Sequence, residues 1–186
     1  MNMQVLTDLP QDLPIPIDDG KCNHLTNSFL PNVTLISTNG EKINLSKLQG
    51  LWVLYFYPMT GRPDVKLPDG WNEIPGARGC TSQSCSFRDN FEKLKSLNAN
   101  VYGISTQTTN YQKEVKERLH LPYEILSDEN LELTKKLNLP TFEIENMILT
   151  KRVTLICKDG EILKFFYPVF PPDKNVDEVI SWIEKS

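Results

Sequence analysis

Two cysteines carry most of the chemistry this sequence is capable of. Cys80 and Cys85 stand at the head of a segment with helical periodicity, directly after the loop-like stretch from Gly61 to Gly79. A cysteine in the first turn of a helix is where a thiol becomes a reactive thiolate. The unpaired backbone N–H groups and the positive end of the helix dipole stabilise its negative charge. Five residues apart on an ideal helix, the two are separated by about 7.5 Å of rise and roughly 140° of rotation. Their Cα atoms then lie roughly 8–9 Å apart, beyond the reach of a disulfide. If they bond, the first helical turns must unwind. The spacing therefore suits a two-state element: a folded helix with a reactive Cys80, and a locally unfolded form with a Cys80–Cys85 disulfide. Plain burial of two small residues is the other reading that spacing alone leaves open. Zinc is disfavoured, because Cys-x4-Cys is an unusual ligand spacing and His24 and His120 are the only histidines. Neither a metal nor another cofactor is expected.

The elements that must hold these cysteines follow from the apolar pattern. Leu51 to Tyr57 is rich in β-branched and aromatic residues without clean alternation, as expected for a central strand buried on both faces. Before it, Phe29–Ser37 and Glu41–Leu45 flank the turn Thr38-Asn39-Gly40, which predicts a hairpin, and Ser46–Leu48 suits one helical turn. After the loop, Phe87, Phe91, Leu94 and Leu97 recur at helical spacing, so a helix is expected from Cys80 to about Leu97. Val101–Ser105 and Tyr123–Leu126 read as strands, and Thr108–Leu119 and Asn130–Leu137 as helices. Thr141–Thr150 reads as irregular. Arg152–Cys157 and Glu161–Tyr167 form a second hairpin around Lys158-Asp159-Gly160. A last helix starts near Asp173, with Val176, Val179, Ile180 and Ile183 on its apolar face. This order predicts an α/β fold with a mixed sheet, helices on both faces and an extra N-terminal β-hairpin, in a thioredoxin-like layout. The expected division is an extended arm over residues 1–27, a domain over 28–186, and an insertion loop at about 61–79.

At YFYP, GCTSQSCSFRDNFEKL, VYGIST, ILSDEN and KRVTLICKDGEI, in that order, the chain resembles the peroxiredoxins. The closest type is the PrxQ-like, bacterioferritin-comigratory group. The resemblance spans about residues 28–185. It implies that Cys80 is the peroxidatic cysteine, Cys85 the resolving cysteine, and Arg152 the arginine beside the peroxidatic sulfur. Arg78 and Arg88 also flank the cysteines and are rivals for that place. The implied reaction reduces hydrogen peroxide or organic hydroperoxides through a sulfenic acid and then a disulfide. Thioredoxin or a glutaredoxin-like dithiol would recycle the disulfide. One departure stands out. The family places a hydroxyl residue three positions before the cysteine, where this chain has Ala77, and Arg78 replaces the usual proline. Pro58 and Thr60 match the start of that motif, so the intervening residues read as an insertion that carries Trp71. Thr60 either still reaches the site or leaves peroxide binding to the backbone N–H groups of Gly79 and Cys80.

Composition bounds the rest. A net charge of −4 with no strongly basic stretch excludes an evident nucleic-acid surface, and pairs such as Glu114–Arg118 and Glu132–Lys136 read as solvated helix faces. No apolar run is long enough to cross a membrane, and the N-terminus has no secretory pattern, so a cytoplasmic protein is expected, as a monomer or weak homodimer. Four cysteines in a reducing compartment do not suggest a structural disulfide framework. Cys157 alternates in phase with Val153 and Leu155, away from Arg152, and is expected in the core. Cys22 in the arm is expected to be an unreactive thiol. Two other functions use the same cysteines. A thiol–disulfide oxidoreductase would normally show Cys-x-x-Cys, which is absent. A non-enzymatic redox sensor would use the Cys80–Cys85 switch without turnover.

Overall fold

The computed structural model describes residues 6–186, so the first five residues of the expected arm lie outside the described residues. Nine strands are present: β1 (Thr34–Ser37), β2 (Lys42–Asn44), β3 (Leu51–Phe56), β4 (Ala99–Ser105), β5 (Ile125–Ser127), β6 (Thr141–Ile144), β7 (Met147–Thr150), β8 (Val153–Lys158) and β9 (Glu161–Phe166). Seven form one mixed sheet in the order β2-β1-β5-β4-β3-β8-β9. β3 runs parallel to β4 and antiparallel to β8, which makes it central. Its side chains alternate between two cores. Leu54 and Phe56 join Leu133, Val153, Leu155 and Cys157 on one face, whereas Val53 and Tyr55 join Phe87, Leu94, Val115 and Val179 on the other. Burial on both faces is why this run lacks a polar-apolar alternation.

Helices flank the sheet, among them α1 (Cys80–Asp89), α2 (Phe91–Ser96), α3 (Thr109–Leu119), α4 (Glu132–Lys136) and α5 (Asn175–Glu184). The single helix expected over 80–97 is broken at Asn90. That residue leaves helical geometry (φ −105°, ψ 10°), and its Nδ2 donates to the Ser86 carbonyl at 2.9 Å, ending α1 from the side chain. The irregular segment expected over Thr141–Thr150 is instead the two-stranded hairpin β6–β7. Glu145 and Asn146 both adopt positive φ, the geometry of a two-residue type I′ turn. The strand expected over Phe29–Ser37 is shorter, beginning at Thr34, because Pro31 has no N–H to donate.

The insertion is ordered by its own small core. A 3-10 turn at Trp71–Glu73 buries Trp71 to 3% exposure beside Ala77 and Leu149, with Met59, Leu67 and Phe142 packed around them. It ends at Gly79, which precedes α1 with φ +108°. A Cβ there would lie 2.3 Å from Pro172 Cγ and 3.0 Å from Leu9 Cδ2. Only glycine satisfies both the dihedral and the space. Gly79→Ala is therefore expected to destabilise the protein by at least about 2 kcal/mol in urea unfolding. An unchanged midpoint would mean that Pro172 and Leu9 yield without cost.

Candidate active site

Cys80 is the first residue of α1, where backbone N–H groups lack helical acceptors. It is 3% exposed, and its sulfur lies 3.6 Å from the Ala77 carbonyl oxygen. Arg152, just before β8, reaches the same place from the sheet. Its Nη2 stands 3.2 Å from the Cys80 sulfur. The same nitrogen donates to the carbonyls of Gly76 (3.2 Å), Ala77 (3.1 Å) and Arg78 (3.3 Å). Its Nη1 donates to Gln83 Oε1 at 2.6 Å. Arg152 is itself 3% exposed, and among the described residues no carboxylate forms an ion pair with it. The guanidinium is thus ringed by neutral oxygens, with the Cys80 sulfur as a further contact.

A relay of fully buried polar groups fixes the arginine. Gln83 Nε2 donates to Asn175 Oδ1 (3.0 Å), which also accepts from the Thr154 hydroxyl (2.7 Å). The sequence contained part of this signal. Gln83 lies three residues after Cys80 on one helix face, and Thr154 lies two residues after Arg152 on one strand face. Nothing in the sequence pointed to Asn175, which comes from the distant α5.

The rival arginines have bonds of their own. Arg88 Nε donates to Asp89 Oδ1 and its Nη1 donates to the Leu119 carbonyl, so it serves the end of α1. Arg78 borders the space beside Cys80 and donates to Asn72 Oδ1 and to the Asp8 carbonyl, both at 3.4 Å. Thr60 is buried; its hydroxyl and N–H donate to Gln107 Oε1 and its carbonyl accepts from Tyr111. Cys22 and Cys157 are buried in the opposite core, and burial above all pushes each thiol up to about 12. His24 is bonded to the Leu137 carbonyl.

Cys85 shares α1 with Cys80, so both thiols are free and separated by intact helix. Burial raises the Cys85 thiol above its ordinary value of 9.0, opposed by Arg88 and Arg118 and reinforced by Asp89. Raising a thiol's pKa lowers its thiolate fraction at any given pH below it. In a Cys80→Ser variant, alkylation of Cys85 by iodoacetamide, located by peptide mass mapping, should keep accelerating beyond pH 9.0. A plateau reached below that pH would contradict the assignment.

The comparisons bear on the family and the fold. Residues 25–180 match the family model described as Redoxin. The chloroplastic peroxiredoxin Q of Sedum lineare is 30% identical over 155 residues, covering 83% of this chain and 75% of that one. That of Suaeda salsa is 30% identical over 158 residues, 84% of this chain and 66% of the relative, so this chain spans about two thirds of its length. Among solved structures, Peroxidoxin BcpB from Mycobacterium tuberculosis shares the fold with a TM-score of 0.71 at 23% identity, over 87% of this chain and 98% of that one. The thioredoxin-like sheet thus sits in a known framework, and the chain belongs to the redoxin family, in its peroxiredoxin Q group.

Proposed function

We propose that this chain is a thiol-dependent peroxidase with Cys80 as the peroxidatic cysteine, Cys85 as the resolving cysteine and Arg152 as the group that holds thiolate and peroxide together. The observation that carries this reading is the 3.2 Å approach of Arg152 Nη2 to the Cys80 sulfur at the start of α1. The Cys80 thiolate attacks the terminal oxygen of a hydroperoxide. A sulfur–oxygen bond forms, the O–O bond breaks, and the departing oxygen takes a proton and leaves as water or an alcohol. Sulfur is oxidised to the sulfenic acid and the peroxide is reduced. Arg152 neutralises charge on both the sulfur and the departing oxygen.

The Cys85 thiolate then attacks the sulfenic sulfur, forming the disulfide and releasing hydroxide, which is protonated to water. Two helical cysteines at this spacing are roughly 8–9 Å apart at Cα, so α1 must unwind first. A dithiol protein, thioredoxin or glutaredoxin-like, returns both thiols by exchange and is itself oxidised. Sulfur chemistry alone completes the cycle, with no metal or organic cofactor. A solved neighbour from Xanthomonas campestris carries alkyl peroxide reduction in its description, which supports a peroxide substrate here. The cycle needs a compartment that keeps the dithiol reduced, and the cytoplasm is the assignment we favour. Among the described residues no helix is long and apolar enough to cross a membrane. A monomer or weak homodimer suffices, because both cysteines belong to one helix.

The test is peroxide consumption coupled to thioredoxin, thioredoxin reductase and NADPH. Cys80→Ser should be inactive, and Cys85→Ser should make one turnover and stall with this reductant. Wild type no faster than Cys80→Ser would overturn the peroxidase and leave a sensor. Arg152→Ala should slow Cys80 oxidation by about 10²-fold or more, since a preorganised charge at the reacting atoms is lost. Amide exchange over residues 80–89 should rise on oxidation, and a disulfide formed without that rise would refute the unwinding step.

A further inference from the structure

The Cys80 sulfur lies behind a wall. The space beside it has a volume of about 10 Å³, bounded by Leu6 from the arm, Met59 after β3, Leu67 and Trp71 from the insertion, and Arg78. That is room for about one water molecule. Packing around it is close. A Cβ built on Gly61 would lie 2.9 Å from Leu6 Cδ2 and 3.0 Å from Leu67 Cδ2. The wall is also fastened. Arg78 joins the arm to the insertion through the Asp8 carbonyl and Asn72. Arg118 Nη2 donates to the Gly61 carbonyl at 2.9 Å, and Trp71 packs against Phe142 with ring centroids 6.0 Å apart.

The geometry of the reaction turns this wall into a selector. The thiolate attacks the terminal oxygen in line with the breaking O–O bond. The departing oxygen, and whatever it carries, therefore points away from the sulfur. In hydrogen peroxide it carries a proton. In an organic hydroperoxide it carries a carbon group, which must find room among the side chains that bound this space, Leu6, Leu67 and Trp71 among them. Resting on the peroxidase reading above, we propose that these three side chains are a size filter that makes hydrogen peroxide the preferred substrate over bulky organic hydroperoxides. Small side-chain adjustments admit a second oxygen atom, whereas a cumyl group requires the leucines to leave their packed positions.

The experiment uses the full chain carrying Cys85→Ser, so that only the first step is read. Gain of one oxygen on Cys80 is followed by quenched-flow mass spectrometry with hydrogen peroxide, tert-butyl hydroperoxide and cumene hydroperoxide. Hydrogen peroxide should react at least about a hundredfold faster than cumene hydroperoxide, with the tert-butyl compound between them, which is the scale a packed pocket can discriminate. Combining Leu6→Ala with Leu67→Ala should narrow that ratio by about tenfold or more. Equal rates for the three peroxides, or a ratio unmoved in a folded double variant, would sink the filter and leave the peroxidase standing. Oxidation by none of them would remove the peroxidase reading and the filter together. Should the double variant fail to fold, the order of the three peroxides in the chain without it still decides.

Discussion

A buried positive charge without a carboxylate sets the terms for the rest of this structure. Moving a guanidinium out of water costs several kcal/mol unless its donors find acceptors. Arg152 meets most of that demand through its two terminal nitrogens, with one amide oxygen, three backbone carbonyls and a sulfur, while its Nε is buried without a partner. The carbonyls of Gly76, Ala77 and Arg78 must therefore converge on one nitrogen, which dictates the path of the chain into α1. Gly79 completes that path because its backbone is left-handed and Pro172 occupies the space where a side chain would go. The sulfur is the one member of this ring able to take a full negative charge. Electrostatics and backbone geometry thus lead to the same residue.

Under the proposed chemistry, the helix that presents the sulfur must come apart. Its buried residues after Cys80 are Thr81, Ser82, Gln83 and Ser84, and Phe87 is the first large apolar one. Hydrogen bonds do the holding: Gln83 to Arg152 and Asn175, and Ser84 to the Tyr55 and Tyr123 hydroxyls. The bonds between neutral groups are worth about 1 kcal/mol net each and the one to the guanidinium about 1.5–3 kcal/mol, because water replaces the partner on unwinding. A first turn of leucines would add about 1.5–3 kcal/mol of apolar exposure per residue. Polar burial therefore lets α1 be well ordered when Arg152 is engaged, yet open at modest cost. Phe87, stacked on Tyr55 with centroids 4.6 Å apart, anchors the part that stays.

The central strand, the α1 start, the arginine before β8 and the core position of Cys157 were legible because each follows a period or a motif. Three features were not. The β6–β7 hairpin was obscured because Glu145-Asn146 is not a glycine turn, and its strands pair only with each other and the insertion's core. The break at Asn90 depends on a side chain reaching the Ser86 carbonyl, which competes with a helical pattern that continues through Leu94. Asn175 acquires its place only when α5 packs beside α1. Sequence spacing places residues on faces of their own element, whereas contacts between distant elements come from the packed fold.

The insertion between Thr60 and Cys80 illustrates why such an addition is tolerated and what it changes. Lengthening a loop costs little chain entropy, about 0.6 kcal/mol per doubling, if its ends stay fixed. Here they do: Arg118 holds the Gly61 carbonyl at one end and Arg152 holds Gly76 to Arg78 at the other. The added residues bury Trp71 against Leu149 and Phe142. Arg152 thereby has two attachments, the helix through Gln83 and the insertion through its last carbonyls. Unwinding α1 removes Gln83 from the guanidinium, and displacing the sulfur removes a second contact. The same motion that brings Cys85 to Cys80 thus leaves Arg152 held by the insertion's last carbonyls.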